Sequence, residues 1–133
     1  MYDLMIIGSG PAGISAALTA KARNLNFIWF GSRALSTKIK KAEKIMNYPG
    51  LPAVTGSEMQ SVFLKQIDDC GITITESQVN SIYDCGGYFA AGADNEIYEA
   101  KAVIMTVGMT TTREIEGEAR LLGCGVSYCA TCD

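Results

Sequence analysis

At 133 residues the chain is the size of one domain, and 48% hydrophobic with 19% charged residues is an ordinary globular mix. A net charge of -3 leaves no basic face, so nucleic acid is not an expected partner. No apolar run approaches the roughly 20 residues that cross a bilayer, and the absence of histidine removes Cys-His and Ser-His nucleophilic pairs and any imidazole zinc site.

The first strand starts almost at Met1, which leaves no room for a signal or transit peptide and makes the cytoplasm the expected compartment. Asp3 to Ile7 (DLMII) is a short continuous apolar run, the pattern of a buried parallel strand. Gly8 to Gly13 form a glycine-rich turn, and the alanine-rich stretch Pro11 to Arg23 predicts a helix with proline in its first turn. Asn26 to Phe30 (NFIWF) predicts a second strand, completing a β-α-β unit. Gly31 to Val54 reads as irregular, with a turn cluster at Asn47 to Pro52.

A second helix follows. Thr55 and Glu58 fit a capping box, Met59, Val62, Phe63 and Ile67 fall on one helical face, and Gly71 is placed to end the helix. Ile72 to Thr75 predicts a third strand. Three short segments, Gln78 to Asp84, Tyr88 to Ala93 and Glu96 to Ala100, are separated by Gly86-Gly87 and Asp94-Asn95 and read as an antiparallel meander. Ala102 to Thr106 (AVIMT) is apolar enough to return to the parallel sheet, and Thr110 to Leu122 reads as a connector. The expected class is α/β: a Rossmann-like domain with a parallel sheet, a β-α-β start and a three-stranded antiparallel meander.

Gly8-Ser9-Gly10-Pro11-Ala12-Gly13 matches G-x-G-x-x-G. In that motif the first glycine permits the tight turn, the second lets the backbone approach a pyrophosphate, and the third lets helix and strand pack closely. The helix start adds free amides and a positive dipole end. The bare pattern is weak, and the strand before it and helix after it supply the context. The acidic residue expected about 20 positions beyond the loop, which takes an adenosine ribose hydroxyl, is missing. Phe30-Gly31-Ser32-Arg33 stand there, where Ser32 can bond a ribose hydroxyl and Arg33 can meet a 2′-phosphate. A turn with no ligand, and a small NADP-binding protein that uses Arg33, are the competing readings.

Five cysteines are present, Cys70, Cys85, Cys124, Cys129 and Cys132, an odd count that argues against a structural disulfide framework. Cys129 and Cys132 form C-x-x-C, a spacing at which one sulfur can attack an external disulfide while the other resolves it. Asp133 follows directly and can relay a proton. Two unrelated surface cysteines, or part of a metal site with Cys124, are the alternatives; no fourth ligand is evident, so no metal site is expected. Cys70 and Cys85 read as packing residues.

The segments GSGPAGISAA (Gly8 to Ala17), NYPG (Asn47 to Gly50), VTGSEM (Val54 to Met59), KAVIMTVGM (Lys101 to Met109) and GVSYCATCD (Gly125 to Asp133), in this order, resemble the low-molecular-weight thioredoxin reductase family. The resemblance runs over the whole chain. It implies a flavoprotein in which electrons pass from a donor to FAD, then to a Cys129–Cys132 disulfide, then to thioredoxin. It implies that Gly8, Ser9, Gly10, Pro11, Ala12 and Gly13 hold the FAD pyrophosphate. By the same resemblance Gly31, Ser32 and Arg33 lie along the adenosine and phosphates, Asn47 approaches the flavin, Val79 contacts adenine, and Thr106 to Gly108 line the nucleotide. Cys132 is then the sulfur nearer the flavin, Cys129 attacks thioredoxin, and Asp133 is the acid/base. The full-length family protein is a homodimer by this likeness.

Departures narrow the expectation. The usual Gly-Gly-Gln after the second strand is replaced by Ser32 to Thr37, and Ala-Thr-Gly after the last strand by Thr106-Val107-Gly108. Leu35 to Gly50 looks closer to clostridial-type relatives that use ferredoxin, so the donor is NADPH or reduced ferredoxin, not bound by this segment alone. Family members are about twice as long, so residues 1–112 are expected to be the N-terminal segment of an FAD-binding domain. Residues 113–133 are then a connector and the start of a second, NADPH-type domain carrying the CATC motif. A non-catalytic FAD- or NADP-binding Rossmann fragment is the alternative.

Overall fold

The computed structural model describes residues 1–109, 116–121 and 124. Along the chain these form β1 (Tyr2–Ile7), α1 (Pro11–Ala22), β2 (Phe27–Phe30), α2 (Thr37–Lys40), α3 (Gly56–Asp69), β3 (Val79–Asp84), β4 (Phe89–Ala93), β5 (Glu96–Met105) and α4 (Glu118–Leu121). One mixed sheet runs in the order β2-β1-β5-β4-β3. β1 is its centre, parallel to β2 on one side and to β5 on the other. β3 and β4, and β4 and β5, pair antiparallel. The result is the expected Rossmann-like start joined to a meander.

The apolar run of β1 is continuous because both faces of the sheet are covered. Successive side chains point to opposite faces, and so divide between two cores. Leu4 and Ile6, with Trp29 of β2, meet Ile14, Ala17 and Ala20 of α1 and Met59, Phe63 and Ile67 of α3. Met5 and Ile7, with Ile28 and Phe30, meet Ala91, Ala93 and Ala100 of the meander. Small residues on α1 let the helix lie close to the sheet. Asn24, at φ +55°, ends it: the Asn24 N–H donates to Lys21 O and Leu25 N–H to Ala20 O.

α3 starts and ends where its residue types require. Thr55 Oγ1 accepts from the Glu58 N–H at 3.2 Å and the Glu58 carboxylate accepts from the Thr55 N–H at 2.8 Å, a complete capping box. At the other end Gly71, at φ +60°, donates to Asp68 O, and Ile72 N–H donates to Ile67 O. Met59, Phe63 and Ile67 are buried as the periodicity predicts, but Val62 is exposed and Gln60 is buried instead.

Three further expectations are corrected. Ile72 to Thr75 is not a strand: Ile72 and Ile74 pack into the first core, and Thr75 alone bridges Phe30. The segments Glu96 to Ala100 and Ala102 to Thr106 are a single strand, β5, ending at Met105. Ala100 is the joint, paired with Phe89 of β4 on one side and Tyr2 of β1 on the other. Lys101 places its ammonium 2.7 Å from Asp3 while its backbone lies within the continuous strand. Gly31 to Val54 is not wholly irregular: it contains α2, capped by Ser36, and an Ile45–Val54 bridge.

Candidate nucleotide site

The glycine loop sits at the C-terminal end of β1, between that strand and α1. Gly8 leaves the strand at φ +113°, and a Cβ there would lie 2.2 Å from the Thr106 carbonyl oxygen. A Cβ on Gly13 would lie 2.0 Å from the Gly8 oxygen. Both positions are therefore closed to side chains by the protein itself. Gly10 differs. It is the N-cap of α1 with an ordinary φ of -74° and no side-chain cap, and a Cβ built on it has no neighbour within 4 Å among the described residues.

Neighbouring strands hold the loop in place. The Gly8 N–H donates to Phe30 O at 2.8 Å. The Gly8 carbonyl accepts from the Trp29 indole Nε1–H at 2.8 Å, with the Thr106 hydroxyl 3.1 Å away and also 2.9 Å from Ile7 O. Ser9 is buried, and its hydroxyl is committed to the next loop: it accepts from Ser32 N–H at 3.0 Å and donates to Leu35 O at 3.4 Å. Gly31 packs directly on Ser9, where a Cβ would come within 2.5 Å of the serine Cβ.

The loop after β2 is pinned from a third side. The Gln60 amide donates to Ala34 O at 3.0 Å and Ser36 O at 2.7 Å. Leu35, at φ +54°, is buried in the first core. Arg33 Nη2 donates to both carboxylate oxygens of Asp68, each at 3.0 Å, in an ion pair. The Glu76 carboxylate accepts from Arg33 N–H at 2.8 Å and from the Ser32 hydroxyl at 3.5 Å.

Together these segments form a cleft of about 450 Å³, bounded by Gly8 to Ala12, by Leu35 to Lys38 and by Thr106 to Met109. Lys38 brings a positive charge to its wall, and its ammonium donates to the Met109 carbonyl. A second groove, about 500 Å³, runs between α1 and the sheet along Leu4, Ala16, Ala20 and Ile104. It is mainly apolar and meets the glycine loop only at Ala12, whereas the first cleft is lined by Gly8 to Ala12 and by Lys38, so the first cleft is the one equipped for a charged ligand.

Of the predicted site residues, Gly8, Ser9, Gly10, Pro11, Ala12, Thr106 and Gly108 line this cleft, and Gly13 sits behind it. Gly31 and Ser32 adjoin it through Ser9. Arg33 is held by Asp68. Asn47 is exposed and outside the lining. Val79 opens β3, pairs with Ala93 and packs on the second core. Cys129, Cys132 and Asp133 lie outside the described residues. Among the described residues no Cys, Asp or Glu cluster is placed to hold a metal ion, and no helix is long and apolar enough to cross a membrane.

Sequence reasoning passed over Trp29, Gln60, Lys38 and Glu76. Trp29 carried a signal, since a buried indole N–H needs an acceptor. Gln60 carried one too, as an amide beside Met59 on the helix face that packs inward.

A parallel β-α-β unit with a glycine loop at the strand ends, opening on a cleft, is the architecture of dinucleotide-binding α/β proteins. The chain belongs to the pyridine nucleotide-disulphide oxidoreductase family, which it matches over residues 2–133. Its relatives include thioredoxin reductases. It is 31% identical to the thioredoxin reductase of Bacillus subtilis, covering 100% of this chain and 42% of that protein. The crystal structure of a ferredoxin-flavin thioredoxin reductase from Clostridium acetobutylicum superposes with a TM-score of 0.82 at 48% identity, over 99% of this chain and 46% of the other. That of thioredoxin reductase from Streptococcus pyogenes gives 0.84 at 34%, over 100% and 44%. The chain spans less than half the length of each of these proteins.

Proposed function

We propose that this chain is the FAD-binding N-terminal part of a flavin-dependent disulfide reductase that acts on thioredoxin. The observation that carries the reading is Gly10. Packing and backbone strain account for Gly8 and Gly13, but nothing among the described residues requires glycine at position 10. A bare backbone facing an open cleft at an uncapped helix start fits the close approach of a pyrophosphate. Lys38 on the facing wall adds charge of the complementary sign.

FAD, when bound, supplies the two-electron chemistry that reduces a disulfide. This chain's part is to hold the diphosphate on the loop and to orient the cofactor between the Leu35 to Lys38 and Thr106 to Met109 walls. By resemblance, residues 1–112 belong to the FAD domain and 113–133 lead into a second one. There Cys132 receives electrons, Cys129 attacks the thioredoxin disulfide and Asp133 moves the proton. The likeness to the clostridial enzyme, described as ferredoxin-flavin, supports reduced ferredoxin as donor, with NADPH as the alternative. Free thiols at Cys70, Cys85 and Cys124 suit a reducing, cytoplasmic setting.

The test is titration of wild-type protein and Gly10→Val with FAD, read by quenching of the fluorescence of Trp29, the single tryptophan. Wild type should bind, and the variant should fold but not bind. Equal binding by both would remove the loop from the site.

A further inference from the structure

The strand that ends a dinucleotide unit normally brings an acid to the adenosine ribose, and here Phe30-Gly31-Ser32-Arg33 bring none. The fold brings one from elsewhere. Thr75 bridges Phe30, its N–H donating to Trp29 O at 2.7 Å and its carbonyl accepting from Gly31 N–H at 3.1 Å. That bridge sets the next residue, Glu76, at the C-terminal end of β2. One carboxylate oxygen, Oε1, accepts from Arg33 N–H and from the Ser32 hydroxyl. The other, Oε2, has no hydrogen-bond partner among the described residues, and the side chain is exposed. Ser32 is tied in turn to Ser9 of the glycine loop. The acid therefore stands one residue beyond a direct link to the pyrophosphate-binding turn.

Arg33, the cation that an NADP reading requires, is paired through Nη2 with Asp68 on α3. A 2′-phosphate at this strand end would meet the Glu76 carboxylate and a guanidinium already engaged by Asp68. A 2′-hydroxyl would find an acceptor-only group with a free oxygen.

We infer that Glu76 is the ribose-recognising acid of this site and selects an adenosine with a free 2′-hydroxyl, as in FAD, over one carrying a 2′-phosphate, as in NADP. The inference rests on the reading of the glycine-loop cleft as the FAD site. It makes Glu76 a specificity-determining residue, supplied from beyond α3 in place of the missing acid after β2.

The experiment measures binding of FAD, of FAD built on 2′-deoxyadenosine, and of NADP⁺ to the wild-type chain and to Glu76→Gln, which keeps an acceptor for Arg33 N–H. Wild type should prefer FAD to the deoxy analogue by about tenfold, the loss expected for a charge-assisted hydrogen bond. Glu76→Gln should weaken FAD, leave the deoxy analogue unchanged and strengthen NADP⁺. Equal weakening of FAD and its deoxy analogue would show that Glu76 only supports the Ser32–Arg33 turn and would overturn the inference while leaving the FAD site standing. Failure of wild type to bind FAD at all would overturn both.

Discussion

Within the glycine loop, three residues of one type do three different things. Gly8 and Gly13 are required by the Thr106 and Gly8 backbone atoms that would otherwise meet a Cβ at 2.2 and 2.0 Å. Gly13→Ala should therefore destabilise the fold by about 3 kcal/mol, at the upper end of overpacking costs, and denaturant unfolding measures it. Gly10→Ala loses only a favourable N-cap residue, about 1 kcal/mol, and should weaken FAD binding more than it lowers stability. The motif was legible in the sequence, but this difference was not. It depends on Thr106, nearly a hundred residues away, whose hydroxyl and backbone close over the loop. Glu76 was illegible for the same reason: only the single bridge at Thr75 places it beside Ser32.

Local chemistry announces some elements fully. The start of α3 could be read from Thr55 and Glu58 and its end from Gly71, because caps depend on residues three or four apart. The Glu58 carboxylate is held below the ordinary glutamate range, chiefly by the Thr55 N–H and then by its hydroxyl. A lowered folded-state pKa means that this stabilisation is present above the ordinary value and is lost as pH falls through the folded one. The cap's contribution to stability should therefore fade as pH falls below the ordinary glutamate value, read by acid denaturation. Glu58→Gln, which can still accept the Thr55 N–H, should make stability less dependent on pH there. Elements that rest on distant partners were misread. The sequence reads Glu96 to Ala100 as meander and Ala102 to Thr106 as parallel strand, whereas β5 does both, pairing on both sides at Ala100. The loop after β2 looked irregular because the groups that order it, Gln60, Asp68 and Glu76, lie on later segments. Replacing Gln60 with leucine should leave the Ala34 and Ser36 carbonyls without their donor and cost about 1–3 kcal/mol, seen as a lower thermal midpoint. The cleft wall at Leu35 should loosen with it, seen as faster amide exchange at Leu35.

Across the molecule, β1 carries the fold. It divides its alternate side chains between two cores and delivers the glycine loop at its end. The parallel centre could be read from the unbroken apolar run, and the meander from its paired turns, so the architecture was largely legible. The part of the site beyond the glycine loop was legible mainly through family likeness, which also assigned Asn47 and Val79 positions that the cleft does not include. The chain spans 42–46% of the relatives named above, so the 133-residue polypeptide assayed alone should not sustain thioredoxin reduction with NADPH or reduced ferredoxin. Sustained turnover in that assay would show that it is a sufficient enzyme. The central claim, that the glycine-loop cleft holds a flavin dinucleotide, is tested most directly by competition. The purified chain is equilibrated with equal amounts of FAD and NADP⁺, freed of unbound nucleotide, and heated to release what it retains. Chromatography should recover FAD; recovery of NADP⁺ without flavin would contradict the account.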